Sequence, residues 1–148
     1  MSFELITIPC LSDNYAFILY NVENRSALLV DAPEADPINQ ILSKNNLNLE
    51  KIFLTHHHAD HIDGLEKILE KHSAVTIGAK ADVHRLPKLD EYVQAGDQFF
   101  FQGQPGKVFD VSGHTIGHVA LNIPTQNLLF SGDSLMALGC GRLFEGSA

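Results

Sequence analysis

Thr55-His56-His57-His58-Ala59-Asp60-His61 places four of the chain's eight histidines within six positions and sets an aspartate among them. In a chain of this composition the pattern H-x-H-x-D-H arises by chance roughly 0.0015 times. Neutral imidazole and carboxylate suit zinc, iron or manganese, and the absence of a nearby cysteine argues against a structural thiolate site. The chemistry indicated is an open, hydrolytic metal centre. His56 and His58, two apart in an extended stretch, can point the same way and share one ion. Asp60 and His61, on the first turn of a following helix, can reach a second ion about 3.5–4 Å from the first. A carboxylate between two dications offsets their repulsion, and Asp133, which follows Leu128-Leu129-Phe130, is the candidate. His114, within Ser112-Gly113-His114-Thr115, would finish the first ion's shell, and Gly113, Gly117 and Gly132 allow close backbone approach beside these ligands.

Other residues of the same types read differently. His57 points away from its neighbours if the segment is extended, which makes it a packing or supporting residue. His118 is read as a packed residue or one that supports a ligand by hydrogen bonding. Asp31 stays open between a plain loop carboxylate and a group that orients a ligand histidine. His72 and His84 belong to no ligand pattern and are read as surface histidines.

These residues need elements to position them. Phe3 to Ile8 and Tyr15 to Tyr20 flank the turn signal Ser12-Asp13-Asn14, and Ala27 to Val30 follows a polar stretch, as in an antiparallel opening to a sheet. Asp36-Pro37 reads as an N-cap followed by proline in the first turn of a helix that carries Ile38, Ile41 and Leu42 on one face. Lys51 to Thr55 reads as a strand buried on both faces. A second helix is expected from about Asp60 through His72, with Ile62, Leu65, Ile68 and Leu69 on one stripe. A short strand near 75–77, a polar middle region, and strands at 98–101, 107–111, 118–123 and 127–130 complete an α/β reading. His56 to His61, His114 and Asp133 each follow an apolar strand run, where ligands gather in α/β sheets.

Composition narrows the possibilities. The chain has 148 residues, 45% hydrophobic and 19% charged, with no tryptophan, as in one ordinary globular domain. A net charge of -8 disfavours nucleic acid and anionic lipid as partners. No apolar stretch approaches the roughly 20 residues of a membrane helix, and the first ten residues lack a basic start and a long apolar core. A cytoplasmic location is expected. Cys10 and Cys140 are far apart and suggest no disulfide framework.

At these residues the chain resembles the metallo-β-lactamase superfamily: Thr55 to His61 with Gly64, Gly113-His114-Thr115-Ile116-Gly117-His118, and Ser131-Gly132-Asp133-Ser134. Gly139-Cys140-Gly141-Arg142-Leu143-Phe144-Glu145-Gly146 and the opening Asp13-Asn14-Tyr15 resemble the glyoxalase II, or hydroxyacylglutathione hydrolase, family. The resemblance implies a four-layer αβ/βα sandwich, here incomplete at its C-terminal end. It also implies that His56, His58 and His114 hold one divalent ion, Asp60 and His61 a second, and Asp133 both. Zinc is the first expectation, with iron and manganese able to take the same ligands. The implied reaction is hydrolysis of the thioester S-D-lactoylglutathione to glutathione and D-lactate, a step of methylglyoxal detoxification. A metal-bound water with a pKa near 7 supplies the nucleophile, and Asp60 and Asp133 belong to the catalytic set. Arg142 and Phe144 fall where the family holds glutathione. No cysteine nucleophile is needed, and Cys140 is read as a packing residue.

The sequence also departs from that family. Its members are longer, with a further histidine for the second ion and a C-terminal helical domain that helps hold glutathione. Here no histidine follows His118, and residues 1–148 are read as the hydrolase domain without the helical one. The expectations are weak turnover by this chain alone, and self-association through a truncated, exposed edge, marginal stability or a fragment of a longer protein. Two other functions are carried: a glutathione-persulfide dioxygenase with a single iron, and a non-catalytic metal-binding fragment. A nuclease is disfavoured by the charge.

Overall fold

The computed structural model describes residues 1–146, and the chain divides into two compact units. Unit 1 comprises residues 1–54 and 58–76, and unit 2 comprises residues 55–57 and everything from Ile77 onward.

Unit 1 opens as a meander. β1 (Phe3–Cys10), β2 (Asn14–Asn21) and β3 (Ser26–Val30) pair antiparallel in order, and β4 (Asn48–Phe53) then runs parallel to β3. Parallel pairing requires a crossover, which α1 (Ala35–Lys44) supplies. Every residue of β3 is buried, which is why Ala27-Leu28-Leu29-Val30 is continuously apolar rather than alternating. Ile38 and Leu42 of α1 are buried with Ile18, Leu29, Ile52 and Phe53 of the strands.

The start of α1 differs from expectation. Its N-cap is Glu34, two residues before Asp36, and Asp36 lies in the first turn. Glu34 makes no side-chain cap; its carboxylate accepts instead from the Leu11 N–H at 2.8 Å. β4 ends at Phe53, so Thr55 lies beyond the strand. The helix expected over 60–72 is two short pieces, α2 (Ala59–Ile62) and α3 (Leu65–Leu69). The interruption is at Gly64, whose N–H donates to the Ala32 carbonyl at 2.8 Å. A Cβ there would lie 2.8–2.9 Å from backbone atoms of Ala32, Glu34 and Ala35, so only glycine fits. His72 is half-buried and contacts Asn39 Oδ1 at 3.1 Å, with burial lowering its pKa; His84 is exposed as expected.

β5 (Val75–Ala79) crosses the division between the units, and within unit 2 it pairs in parallel with β6 (Glu91–Val93). β6 lies in the stretch read only as polar; three residues with a single buried side chain give no periodic signal. β7 (Gln98–Phe101), β8 (Gln104–Asp110), β9 (Val119–Ile123) and β10 (Leu128–Phe130) form an antiparallel sheet in the order β10-β9-β8-β7. Phe99, Phe101, Val108, Leu121 and Ile123 are buried. Beyond β10, a short 3₁₀ turn (Gly132–Ser134) leads into a segment whose side chains are mostly exposed. Cys140 lies in that segment and is exposed, contrary to its reading as a packing residue, while Cys10 is buried.

Candidate metal centre

In unit 2, Thr55 and His56 leave the strand run and are buried. The Thr55 carbonyl accepts from the Val119 N–H at 3.0 Å, which ties this segment to β9. Thr55 Oγ1 lies 3.0 Å from His56 Nδ1. His56 Nε2 lies 4.0 Å from Asp133 Oδ2, and His114 Nε2 lies 3.2 Å from the same oxygen. The other nitrogen of His114, Nδ1, is 2.7 Å from the carbonyl oxygen of Arg142. A carbonyl can only accept, so Nδ1 carries a proton, and Nε2 is the atom turned toward the Asp133 carboxylate. An imidazole nitrogen and a carboxylate oxygen brought this close are donors of the kind that hold a divalent cation.

Asp133 is held from both sides. Its N–H donates to His118 Nε2 at 3.2 Å, and its carbonyl accepts from the Gly141 N–H at 2.6 Å. His118 Nδ1 lies 3.2 Å from the Val119 carbonyl, so both ring nitrogens of His118 are engaged in positioning. His118 also stacks on His56 with ring centroids 4.4 Å apart. Gly132 makes this approach possible. Its φ of +52° is left-handed, and a Cβ there would lie 2.6 Å from Thr55 Oγ1 and 2.7 Å from His118 Cε1.

His57 turns elsewhere. Its Nδ1 lies 3.4 Å from Oδ2 of the fully buried Asp82, and its Nε2 lies 3.9 Å from Glu145 Oε1. Arg85 stands between the two acids, donating to Asp82 Oδ1 from Nε at 3.0 Å and to Glu145 Oε1 from Nη1. The Ile116 N–H donates to the other Glu145 oxygen at 2.7 Å. The Arg85 hydrogen bond, with help from Ile116, lowers the Glu145 pKa to about 2. The same pairing with Glu145 raises that of Arg85.

Arg142 and Phe144 are exposed, and the guanidinium lies over the Phe144 ring, 5.3 Å from its centroid. The Phe144 ring in turn meets His114 at 5.3 Å in an edge geometry.

In unit 1, His61 is buried and its Nδ1 lies 2.8 Å from Asp31 Oδ2. The carboxylate fixes a proton on Nδ1 and turns Nε2 toward Asp60 Oδ2, 3.6 Å away. Asp31 adopts a left-handed φ of 61°, a conformation that costs a non-glycine residue about 1–3 kcal/mol, though aspartate tolerates it better than most. Its N–H donates to the Phe53 carbonyl at 2.9 Å, which helps hold the kink. Asn14 Nδ2 donates to the Asp60 carbonyl at 2.5 Å and lies 3.2 Å from Asp60 Oδ2. His58 caps α2 with an extended backbone, and its carbonyl accepts from the His61 N–H at 2.9 Å. The Asp60 side chain is about half exposed, open to an incoming molecule.

Residues 13–146 match the metallo-β-lactamase superfamily. The chain belongs to the metallo-β-lactamase superfamily. Its fold is that of the superfamily: a B3 metallo-β-lactamase, BLEG-1, superposes with a TM-score of 0.86 at 23% identity, covering 94% of this chain and 76% of that one. The structure of ETHE1 from Myxococcus xanthus superposes at 0.75 with 26% identity, over 96% of this chain and 61% of that one. Among curated proteins, the hydroxyacylglutathione hydrolase of Ruegeria pomeroyi is 52% identical over 147 residues, 99% of this chain and 58% of its own length. The chain thus spans somewhat over half the length of the curated relatives it matches.

Within this superfamily chain, the ligand candidates divide between the units. Unit 2 brings together His56, His114 and Asp133, and unit 1 brings together Asp60 and His61, with His58 at the start of their helix. Three supporting groups escaped the sequence reading: the amide of Asn14, the hydroxyl of Thr55 and the main-chain carbonyl of Arg142. For Asn14 the signal was at hand in Asp13-Asn14-Tyr15. A main-chain carbonyl carries no signal, because every residue has one.

Proposed function

We propose that this chain carries the metal centre and part of the substrate site of a hydroxyacylglutathione hydrolase, which cleaves S-D-lactoylglutathione to glutathione and D-lactate. The observation that carries this reading is His114, whose Nδ1 proton is committed to a carbonyl while its Nε2 faces the Asp133 carboxylate beside Arg142 and Phe144. Identity near 50% to proteins of that name supports the substrate class.

His56, His58 and His114 are assigned to one divalent ion, Asp60 and His61 to a second, and Asp133 to both, with zinc the first choice. Such ions would supply a nucleophilic water at neutral pH and polarise the thioester carbonyl. Asp60 would help hold the second ion, and its half-exposed carboxylate can take up the proton shed as water attacks. Asp133 holds its carboxylate fixed through the His118 and Gly141 contacts. The Arg142 guanidinium pairs with a peptide carboxylate of the substrate, and Phe144 packs against its apolar part. Water oxygen bonds to the acyl carbon and the carbon–sulfur bond breaks. The glutathione sulfur is a good enough leaving group to depart as the thiolate, and with a thiol pKa of about 8.5 it then takes up the proton shed by the attacking water.

Among the described residues, no helix is long and apolar enough to cross a membrane; a cytoplasmic location and self-association through exposed apolar surface are part of the same proposal. The test is lactoylglutathione hydrolysis before and after chelation, with metal per chain measured by elemental analysis. Chelator-sensitive hydrolysis supports the reading. Oxygen consumption with glutathione persulfide and no hydrolysis would replace it with the single-iron dioxygenase, and bound metal with neither activity would leave a non-catalytic metal-binding fragment.

A further inference from the structure

The segment from Gly141 to Gly146 touches the metal ligands through its backbone as well as offering side chains to substrate. The Gly141 N–H donates to the Asp133 carbonyl, and the Arg142 carbonyl takes the Nδ1 proton of His114. A Cβ on residue 141 would lie 2.4 Å from the Asp133 carbonyl oxygen and 2.7 Å from His114 Nδ1, so glycine lets the segment run directly against both ligands. Something must keep this largely exposed segment in place, and Glu145 is the one acidic side chain within it. One carboxylate oxygen accepts from Arg85 and the other from the Ile116 N–H, two residues past His114. Arg85 is itself anchored on the buried Asp82, over whose carboxyl group Gly117 packs so closely that a Cβ would lie 2.2 Å away.

We propose that Glu145 is a positioning residue of the metal centre, latching residues 141–146 so that the Arg142 carbonyl orients His114 with Nε2 toward the Asp133 carboxylate. This rests on the metal-centre reading above and adds to it a role for the far end of the segment, four residues from Gly141. Partners that orient ligand histidines typically govern affinity by 10–100-fold. An ion-pair latch acting through a backbone carbonyl falls at the lower end of that range, about tenfold.

The experiment measures zinc affinity by chelator competition and the His114 ring ¹⁵N and Nδ1–H resonances of the metal-free protein, for the unaltered chain, Glu145→Ala and Glu145→Gln. The expected result is about tenfold weaker zinc binding in Glu145→Ala, with the His114 Nδ1–H signal broadened or shifted. The His118 Nδ1–H signal should be unchanged, because its acceptor, the Val119 carbonyl, lies outside the latch. Glu145→Gln, which keeps an acceptor for the Ile116 N–H, should recover part of the loss and guards against a variant that fails to fold. Arg142→Ala should keep the zinc affinity, since its carbonyl remains. Equal affinity in all variants with an unmoved His114 signal would overturn the proposal, as would His114 and His118 signals lost together. If the unaltered chain binds no zinc yet Glu145→Ala still disturbs His114 alone, the metal reading fails and the latch stands.

Discussion

The two units support their buried histidines by different means. In unit 1, His61 is backed by the carboxylate of Asp31, a side chain held at a strained, left-handed backbone position. In unit 2, His114 and His118 are backed by the main-chain carbonyls of Arg142 and Val119, and the ligand Asp133 is fixed through its own N–H and C=O. A carboxylate partner makes the imidazole a stronger donor to a cation and can be removed by one substitution. A carbonyl partner is weaker but can be displaced only by moving the chain. The cluster in unit 1 is thus chemically tuned and vulnerable to point mutation. That in unit 2 is mechanically braced and vulnerable to whatever shifts a loop.

The largest expected effect comes from Asp133→Ala, which should cost about a hundredfold or more in metal affinity, beyond the 10–100-fold typical of supporting partners. Equilibrium dialysis with zinc reads this directly, and unchanged stoichiometry and affinity would remove Asp133 from the ligand set. Asp31→Ala sharpens the contrast between the units. One ion should weaken by about 10–100-fold while the other keeps its affinity, and titration calorimetry resolving two sites would check it. Loss of both ions together would break the distinction. Gly132→Ala should show the mechanical character of unit 2, lowering stability by about 1–3 kcal/mol from the left-handed φ alone, with the collision at Thr55 and His118 adding to it. A thermal melt shifted by less than a degree would contradict the packing described.

The smallest effect is the pH dependence of the Glu145 latch. Its carboxyl, near pKa 2 in the fold against an ordinary 4.5, contributes stability that is complete above about pH 4.5 and disappears as pH falls toward 2. The melting difference between the unaltered chain and Glu145→Gln should therefore persist from pH 7 to pH 5 and shrink only below that. A difference already gone at pH 5 would mean that the latch is not an ion pair.

The candidate ligands stood out in the sequence because they are rare residue types at tight spacing: His56, His58, Asp60 and His61 cannot be mistaken for a typical turn. Strands β3 and β7 were legible because each carries a short apolar run, Ala27-Leu28-Leu29-Val30 and Phe99-Phe100-Phe101, though Phe100 proves exposed. Asp31 was readable only as an alternative, since its reach to His61 depends on a backbone kink that no periodicity announces. The break between α2 and α3 was hidden by a stripe, Ile62, Leu65, Ile68 and Leu69, that continues across Gly64 as if one helix were present. What stops the helix there is the backbone of residues 32–35 pressing on Gly64, a tertiary contact absent from local pattern. The exposure of Cys140 was misjudged for a related reason: the segment after β10 is held by Gly141, Arg142 and Glu145 rather than by apolar burial.

The Arg142 carbonyl gives the chain an engineering freedom. Because the main chain at this position steadies His114 while the side chain lies exposed over Phe144, the charge and size of side chain 142 can be varied without removing the carbonyl that orients the histidine. A library built at this one position, with Gly141 and Glu145 left untouched, would change the surface and spare the support beneath it.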